Sequence, residues 1–203
     1  MFINWRTNEL YLNIVYYGPA LSGKTTNLEQ IHARLHPSVR SELFTLSTHE
    51  DRTIFFDFMQ MELGAIGRLQ PRFGLYTVPG QVYYEATRAA VLRRADGVVF
   101  VADSQAGRLE ENRLSWQNME QHLARAGRYL PDFPLVVQFN KRDLPDALPL
   151  EVLQSALDAE NYPCFEAVAT RGHGVPETLR AIMGRVLLDV QRKLAAQVGV
   201  VTR

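Results

Sequence analysis

A chain of 203 residues, 46% hydrophobic and 22% charged, is long enough to bury a proper core within one domain. Its 22 basic and 22 acidic residues cancel, so no long-range field draws it to nucleic acid or anionic lipid. One cysteine, Cys164, excludes an intramolecular disulfide and a cysteine metal cluster; inside the apolar run Cys164–Ala169 it reads as a small buried core residue.

Taken in chain order, Met1–Arg6 lacks the apolar stretch and cleavage site of a signal peptide. No window approaches membrane-spanning length, and neither a prenylation cysteine nor a myristoylation glycine is present. A cytoplasmic protein without a direct membrane anchor is expected. Apolar runs predict strands at Tyr11–Tyr17, Ile54–Leu63, Phe73–Val78, Gly97–Ala102, Leu135–Phe139 and Phe165–Ala169. Between them, helices are predicted at Lys24–Leu35, Tyr83–Arg94, Leu109–Ala126, Leu150–Leu157 and Pro176–Leu194. The stretch His36–Asp51 is polar, contains Pro37 and has no steady period, so it reads as a long loop able to move. Arg88, Arg93 and Arg94 read as one solvated helix face. The unbroken apolar character of Val98–Ala102 and Leu135–Phe139 suits strands covered on both faces. The alternation of β and α implies an α/β fold, a mostly parallel central sheet with helices on both faces, in a single domain spanning residues 1–203.

Gly18-Pro19-Ala20-Leu21-Ser22-Gly23-Lys24-Thr25 matches the phosphate-binding pattern G-x-x-x-x-G-K-[ST] in full, between a predicted strand and a predicted helix. Its glycines let successive backbone N–H groups converge on an anion, and the helix after it adds its positive end. The phosphate cradle is therefore expected from Gly18, Ala20, Leu21, Ser22, Gly23, Lys24, Thr25 and Thr26. Lys24 would reach the β- and γ-phosphates, and the Thr25 hydroxyl would bind Mg²⁺.

A second motif, Asn140-Lys141-Arg142-Asp143, comes after the strand Leu135–Phe139, at the end of the sheet where such folds hold ligands. The Asp143 carboxylate could accept two hydrogen bonds from guanine, at N1–H and the exocyclic amino group. Adenine has no N1–H, so a buried Asp143 would be left unpaired by it. The Lys141 stem could lie over the base while Asn140 ties this loop to the phosphate loop. Asp103 is open to two readings: a polar cap at the strand end, with Ser104 capping the next turn, or the Mg²⁺ carboxylate of an ATPase. The five histidines show no metal-ligand spacing.

The chain resembles a Ras-superfamily small GTPase, and more closely the MglA family of bacterial gliding and polarity GTPases. The resemblance is carried by Val15–Pro19, Leu21–Leu28, Glu50–Phe58, Leu75–Val82 and Asn140–Pro145, and extends from about Leu10 to the last helix. It implies a P-loop small G domain that binds GTP or GDP with Mg²⁺. It implies that Thr53 completes the Mg²⁺ shell and that Arg52 acts as an arginine finger supplied in cis. Gly80 would approach the γ-phosphate through its N–H, and Gln81 would orient the attacking water. Thr77 stands where the general D-x-x-G pattern has an aspartate, so either Mg²⁺ is held more weakly or another carboxylate compensates. Ala169 falls where the S-A-K loop brings a backbone N–H to the guanine oxygen, while Val168 and Thr170 replace its serine and lysine. Tyr83 and Tyr84 would begin a helix that faces a partner.

The implied partner is an MglB-like, dimeric roadblock-domain GTPase-activating protein. The implied activity is slow intrinsic GTP hydrolysis stimulated by that partner, in the service of cell polarity or gliding motility. Two rivals stay open on the residues: a P-loop ATPase using Asp103 for Mg²⁺, and a hydrolysis-deficient nucleotide-binding scaffold.

Overall fold

The computed structural model describes residues 1–46, 56–62, 64, 68–80, 84–130 and 132–201. The sheet is built around β2 (Glu9–Tyr17), whose alternate residues feed two hydrophobic layers. Leu10, Leu12, Ile14 and Tyr16 join the layer under α1 (Lys24–Arg34) and α5 (Val175–Val201). Val15 and Tyr17 join the layer under α2 (Glu85–Arg93), α3 (Leu109–Arg125) and α4 (Leu150–Ala156).

On either side of β2 lie β5 (Gln70–Thr77) and β6 (Gly97–Asp103), both parallel to it. Parallel pairing continues through β7 (Leu135–Asn140) to β8 (Cys164–Glu166). Every residue of β6 and β7 is buried, as expected of strands covered on both faces. Beyond β5 the sheet turns antiparallel, through β4 (Phe56–Glu62) to the edge strand β3 (Phe44–Leu46). The order is β3-β4-β5-β2-β6-β7-β8, with β1 (Phe2–Asn4) antiparallel to the start of β2. This α/β architecture, with a mostly parallel sheet between two helical layers, is that of a small G-protein fold.

Some expectations need correction. Within His36–Asp51, Pro37–Val39 forms a short 3₁₀ turn and Phe44–Leu46 pairs with β4, so that stretch is not wholly loop; residues 47–51 lie outside the described residues. Three-residue strands such as β1 and β3 are too short to show a period. The final strand ends at Glu166, and Ala169–Arg171 forms a 3₁₀ turn. Cys164 is only partly buried; its thiol contacts the Tyr162 carbonyl at 3.3 Å, and burial raises its pKa. Arg88 is not on a solvated face: it is 4% exposed and donates to the Pro79 carbonyl at 3.3 Å, while Arg93 and Arg94 are exposed. Among the described residues, no helix is long and apolar enough to cross a membrane.

Candidate nucleotide-binding site

The phosphate loop leaves the buried end of β2 and enters α1 through Gly23, whose φ of +98° is left-handed. A Cβ there would come 2.2 Å from Asn140 Nδ2, so only glycine lets the two loops meet. Lys24 folds back into this loop, 7% exposed, donating to the carbonyls of Gly18 at 3.1 Å and Pro19 at 2.6 Å. Burial, aided by the nearby Arg88 guanidinium and opposed by Asp57, pulls its pKa down to about 7. An ammonium with so little negative charge around it is a ready partner for phosphate.

Beside the start of α1 lies Asp57, an inward carboxylate on β4, 4% exposed. Its Oδ2 accepts from Thr25 Oγ1 at 2.6 Å and from Thr77 Oγ1 at 2.9 Å, and its Oδ1 accepts from Thr45 Oγ1 at 2.9 Å. Thr77 Oγ1 in turn accepts the Asp57 backbone N–H at 2.7 Å. Thr77 supplies no charge of its own, and the strand beside it carries a carboxylate within hydrogen-bond reach. Thr25 gives its proton to Asp57, which leaves oxygen lone pairs for a cation. One carboxylate with hydroxyl oxygens suits Mg²⁺, which keeps several waters and needs few protein charges. Sequence reasoning assigned Asp57 no role. The available signal was its phase: alternation puts it on the same inward face as Met59 and Met61, where a lone acid needs a reason.

Gly80 lies hard against the phosphate loop, where a Cβ would come 2.3 Å from the Ala20 backbone nitrogen. Arg52, Thr53, Gln81 and Tyr83, singled out from the sequence, lie outside the described residues. Tyr84 immediately precedes α2 and is partly buried.

At the other end a cavity of about 210 Å³ brings together Gly23, Thr26, Asn140, Lys141, Asp143 and Ala169, with Leu21, Leu144, Val168 and Thr170 completing its walls. Asn140, 3% exposed, donates to the Ser22 carbonyl at 2.8 Å and accepts the Ala169 N–H at 2.9 Å. It thereby clasps the phosphate loop and the last loop at once. The Ala169 N–H is engaged by this clasp, which holds the loop in place. Asp143 is not buried: its side chain is 28% exposed, and Arg171 Nη2 lies 3.5 Å from its Oδ2. A wet carboxylate with a flexible cationic neighbour can still accept from a base. Leaving it unpaired would cost less than in the buried case.

Below the clasp, Asn27 and Gln138 exchange side-chain hydrogen bonds at 2.8 and 3.0 Å, and Gln138 also donates to Thr178 Oγ1 at 3.0 Å. All three residues are fully buried, which binds α1, β7 and α5 together. A larger cavity of about 620 Å³, between α2 and the strands β2 and β5, is lined by Asn13, Val15, Tyr76 and residues of α2. None of the phosphate or base residues lines it.

The chain is 48% identical over 191 residues to the mutual gliding-motility protein MglA of Myxococcus xanthus, covering 94% of this chain and 98% of that protein. It is also 32% identical over 119 residues to elongation factor 4 of Thermus thermophilus, covering 56% of this chain and 18% of that protein. No protein-family model matches the chain. With both nucleotide motifs at one end of a small G-protein sheet and a relative matched over nearly its full length, the chain belongs to the MglA family of bacterial small GTPases in the Ras superfamily.

Proposed function

We propose that the chain, as one G domain throughout, is a molecular switch that binds GTP with Mg²⁺, adopts a partner-binding form, and reverts after hydrolysis to GDP and phosphate. The observation that carries this reading is the base cavity, where Asn140, Lys141 and Asp143 share walls with Gly23 and Thr26 of the phosphate loop and α1. A ligand spanning that junction presents a base at one end and phosphates at the other. Lys24 would exchange its two loop carbonyls for phosphate oxygens. Thr25 and Thr53 would hold the metal, with Asp57 orienting Thr25 and supplying negative charge. Bound there, Mg²⁺ would neutralise charge on the β- and γ-phosphates. Gly80 would meet the γ-phosphate, Gln81 would orient the attacking water, and Arg52 would neutralise charge on the transferring group.

The family resemblance supports slow intrinsic turnover, an upper value of about 10⁻² s⁻¹ with Arg52 acting unaided. It also supports stimulation by a dimeric, MglB-like roadblock partner. The name of the Myxococcus relative supports a role in gliding motility. An ATPase that uses Asp103 for Mg²⁺ is disfavoured, because that carboxylate is already held by Lys141 at 2.5 Å.

Affinity of the nucleotide-free protein for GTP, GDP and ATP, with and without Mg²⁺, tests the binding half. Strong guanine preference is expected; equal ATP binding would overturn it. For the catalytic half, Arg52→Ala and Gln81→Leu should keep GTP binding and lower partner-stimulated hydrolysis by about 10³-fold or more. Normal turnover in both would remove their roles, and no turnover in the wild type with its partner would favour a nucleotide-binding scaffold.

A further inference from the structure

Asp103 ends β6 in register with Asn140 and is fully buried, a carboxylate in the core that neither the phosphate loop nor the metal side uses. Buried carboxylates persist only where cations and donors compensate them. Here Oδ1 accepts the Gln105 backbone N–H at 3.1 Å, and Oδ2 accepts Lys141 Nζ at 2.5 Å with Arg108 Nε 3.9 Å away. The backbone of Asp103 is itself pinned, exchanging hydrogen bonds with the Asn112 side chain at 2.8 and 2.9 Å. It is a fixed anchor, and both cations reach it from parts of the nucleotide site.

Lys141 is a wall of the base cavity and leaves its backbone at φ +65°, a conformation disfavoured for a side chain with a Cβ. Its ammonium is drawn down to Asp103, so the stem must cross the cavity edge on the way. Arg108 works on the other loop: its Nη2 donates to the Ala20 carbonyl at 2.8 Å, while Nη1 pairs with Glu111 at 2.9 Å. Ser104, expected to cap the next turn, does not: its hydroxyl is buried with no hydrogen-bond partner among the described residues.

Resting on the guanine-nucleotide reading of the site, we infer that Asp103 is a positioning residue for nucleotide binding. It does so through Lys141, holding that stem against the base. This role differs from both sequence alternatives, since the carboxylate serves the base rather than a metal and does more than end a strand.

Release of a fluorescent GDP, in Mg²⁺ and in EDTA, tests it with Asp103→Asn, Lys141→Met and the double variant. Lys141→Met keeps the stem and removes the ammonium that Asp103 holds. Asp103→Asn should speed release roughly tenfold, as for loss of one charged hydrogen bond, by the same factor in both conditions. The double variant should release no faster than Lys141→Met alone. Acceleration seen only with Mg²⁺ would place Asp103 in the metal site, and multiplicative effects would make it a general structural residue; either overturns the inference. Should Asp103→Asn not accumulate folded, Lys141→Met decides the matter, because a wild-type release rate there means the pair positions nothing. Retention of GDP by the wild type comes first. Its absence would refute the guanine reading of the site, whereas retention with unchanged release from Asp103→Asn refutes only the role of Asp103.

Discussion

The base end and the phosphate end of the cleft are held by different kinds of bond. Around the base, the walls are fixed by groups that no ligand needs to displace: Asn140 between Ser22 and Ala169, and Lys141 on Asp103. Around the phosphates, the working groups are turned onto the protein itself, Lys24 onto Gly18 and Pro19 and Thr25 onto Asp57. On the proposed reading, a nucleotide would find its base site built and would exchange hydrogen bonds to complete its phosphate site. Sensitivity to ligand charge, metal and pH should concentrate at the phosphate end, and base identity at the other.

The sharpest way to break this contrast is Lys24→Met. It should lower GTP affinity about 100-fold or more, the scale of losing two charged hydrogen bonds. It should also raise the melting temperature of the nucleotide-free protein, because an ammonium destabilised by burial is gone. A fall in both would mean that Lys24 holds the loop together rather than waiting for phosphate. Next in size, Asp143→Asn should shift preference from guanine towards xanthine nucleotides by about tenfold or more, leaving Mg²⁺ dependence intact. Unchanged base selectivity, measured by competition, would move recognition to the cavity walls alone. Asp57→Asn should reverse that pattern, removing most of the Mg²⁺ contribution to GDP retention, about tenfold, with base preference unaltered. Equal retention in Mg²⁺ and EDTA by the wild type would end the metal role of Asp57.

The smallest effect is one of pH, and its two signs differ. Free Lys24 has a pKa near 7, below its unfolded value of 10.5, so the unfolded chain binds more protons between those values. Stability of the nucleotide-free protein should therefore rise as pH increases from about 7 towards 10, and Lys24→Met should flatten that rise. Phosphate favours the charged lysine, so binding takes up a proton above pH 7. GTP affinity should then fall between pH 7.5 and 8.5, by at most about tenfold per pH unit. Calorimetry in buffers of different ionisation enthalpy would read that proton directly, and a pH-independent affinity would mean that Lys24 is charged before the nucleotide arrives.

Both nucleotide motifs and the sheet were legible because they depend on local spacing: glycines at fixed offsets, apolar runs of strand length, and loops at strand ends. Asp57, Arg108 and Asp103 were not, and for one reason. Each acquires its role from partners far away in the chain, such as Thr77 on the next strand for Asp57 or Lys141 for Asp103. Arg88 looked solvated because neighbouring Arg93 and Arg94 are, yet it sits one face round the helix, against Pro79. Asp143 was over-read in the other direction, since a motif gives the residue type and not its exposure.

One buried side chain bears on how the strands find their alignment. Leu135-Val136-Val137-Gln138-Phe139-Asn140 is apolar on both faces but for two amides, so hydrophobicity alone barely distinguishes β7 from itself displaced by one position. A slip of one residue would swing Gln138 from Asn27 and Thr178 into the opposite layer, among Phe100, Trp116 and Leu153. The same slip would carry Asn140 away from Ser22. Gln138 thus acts as a misalignment penalty written into the core, one that makes the correctly threaded sheet also the sheet with a working base loop.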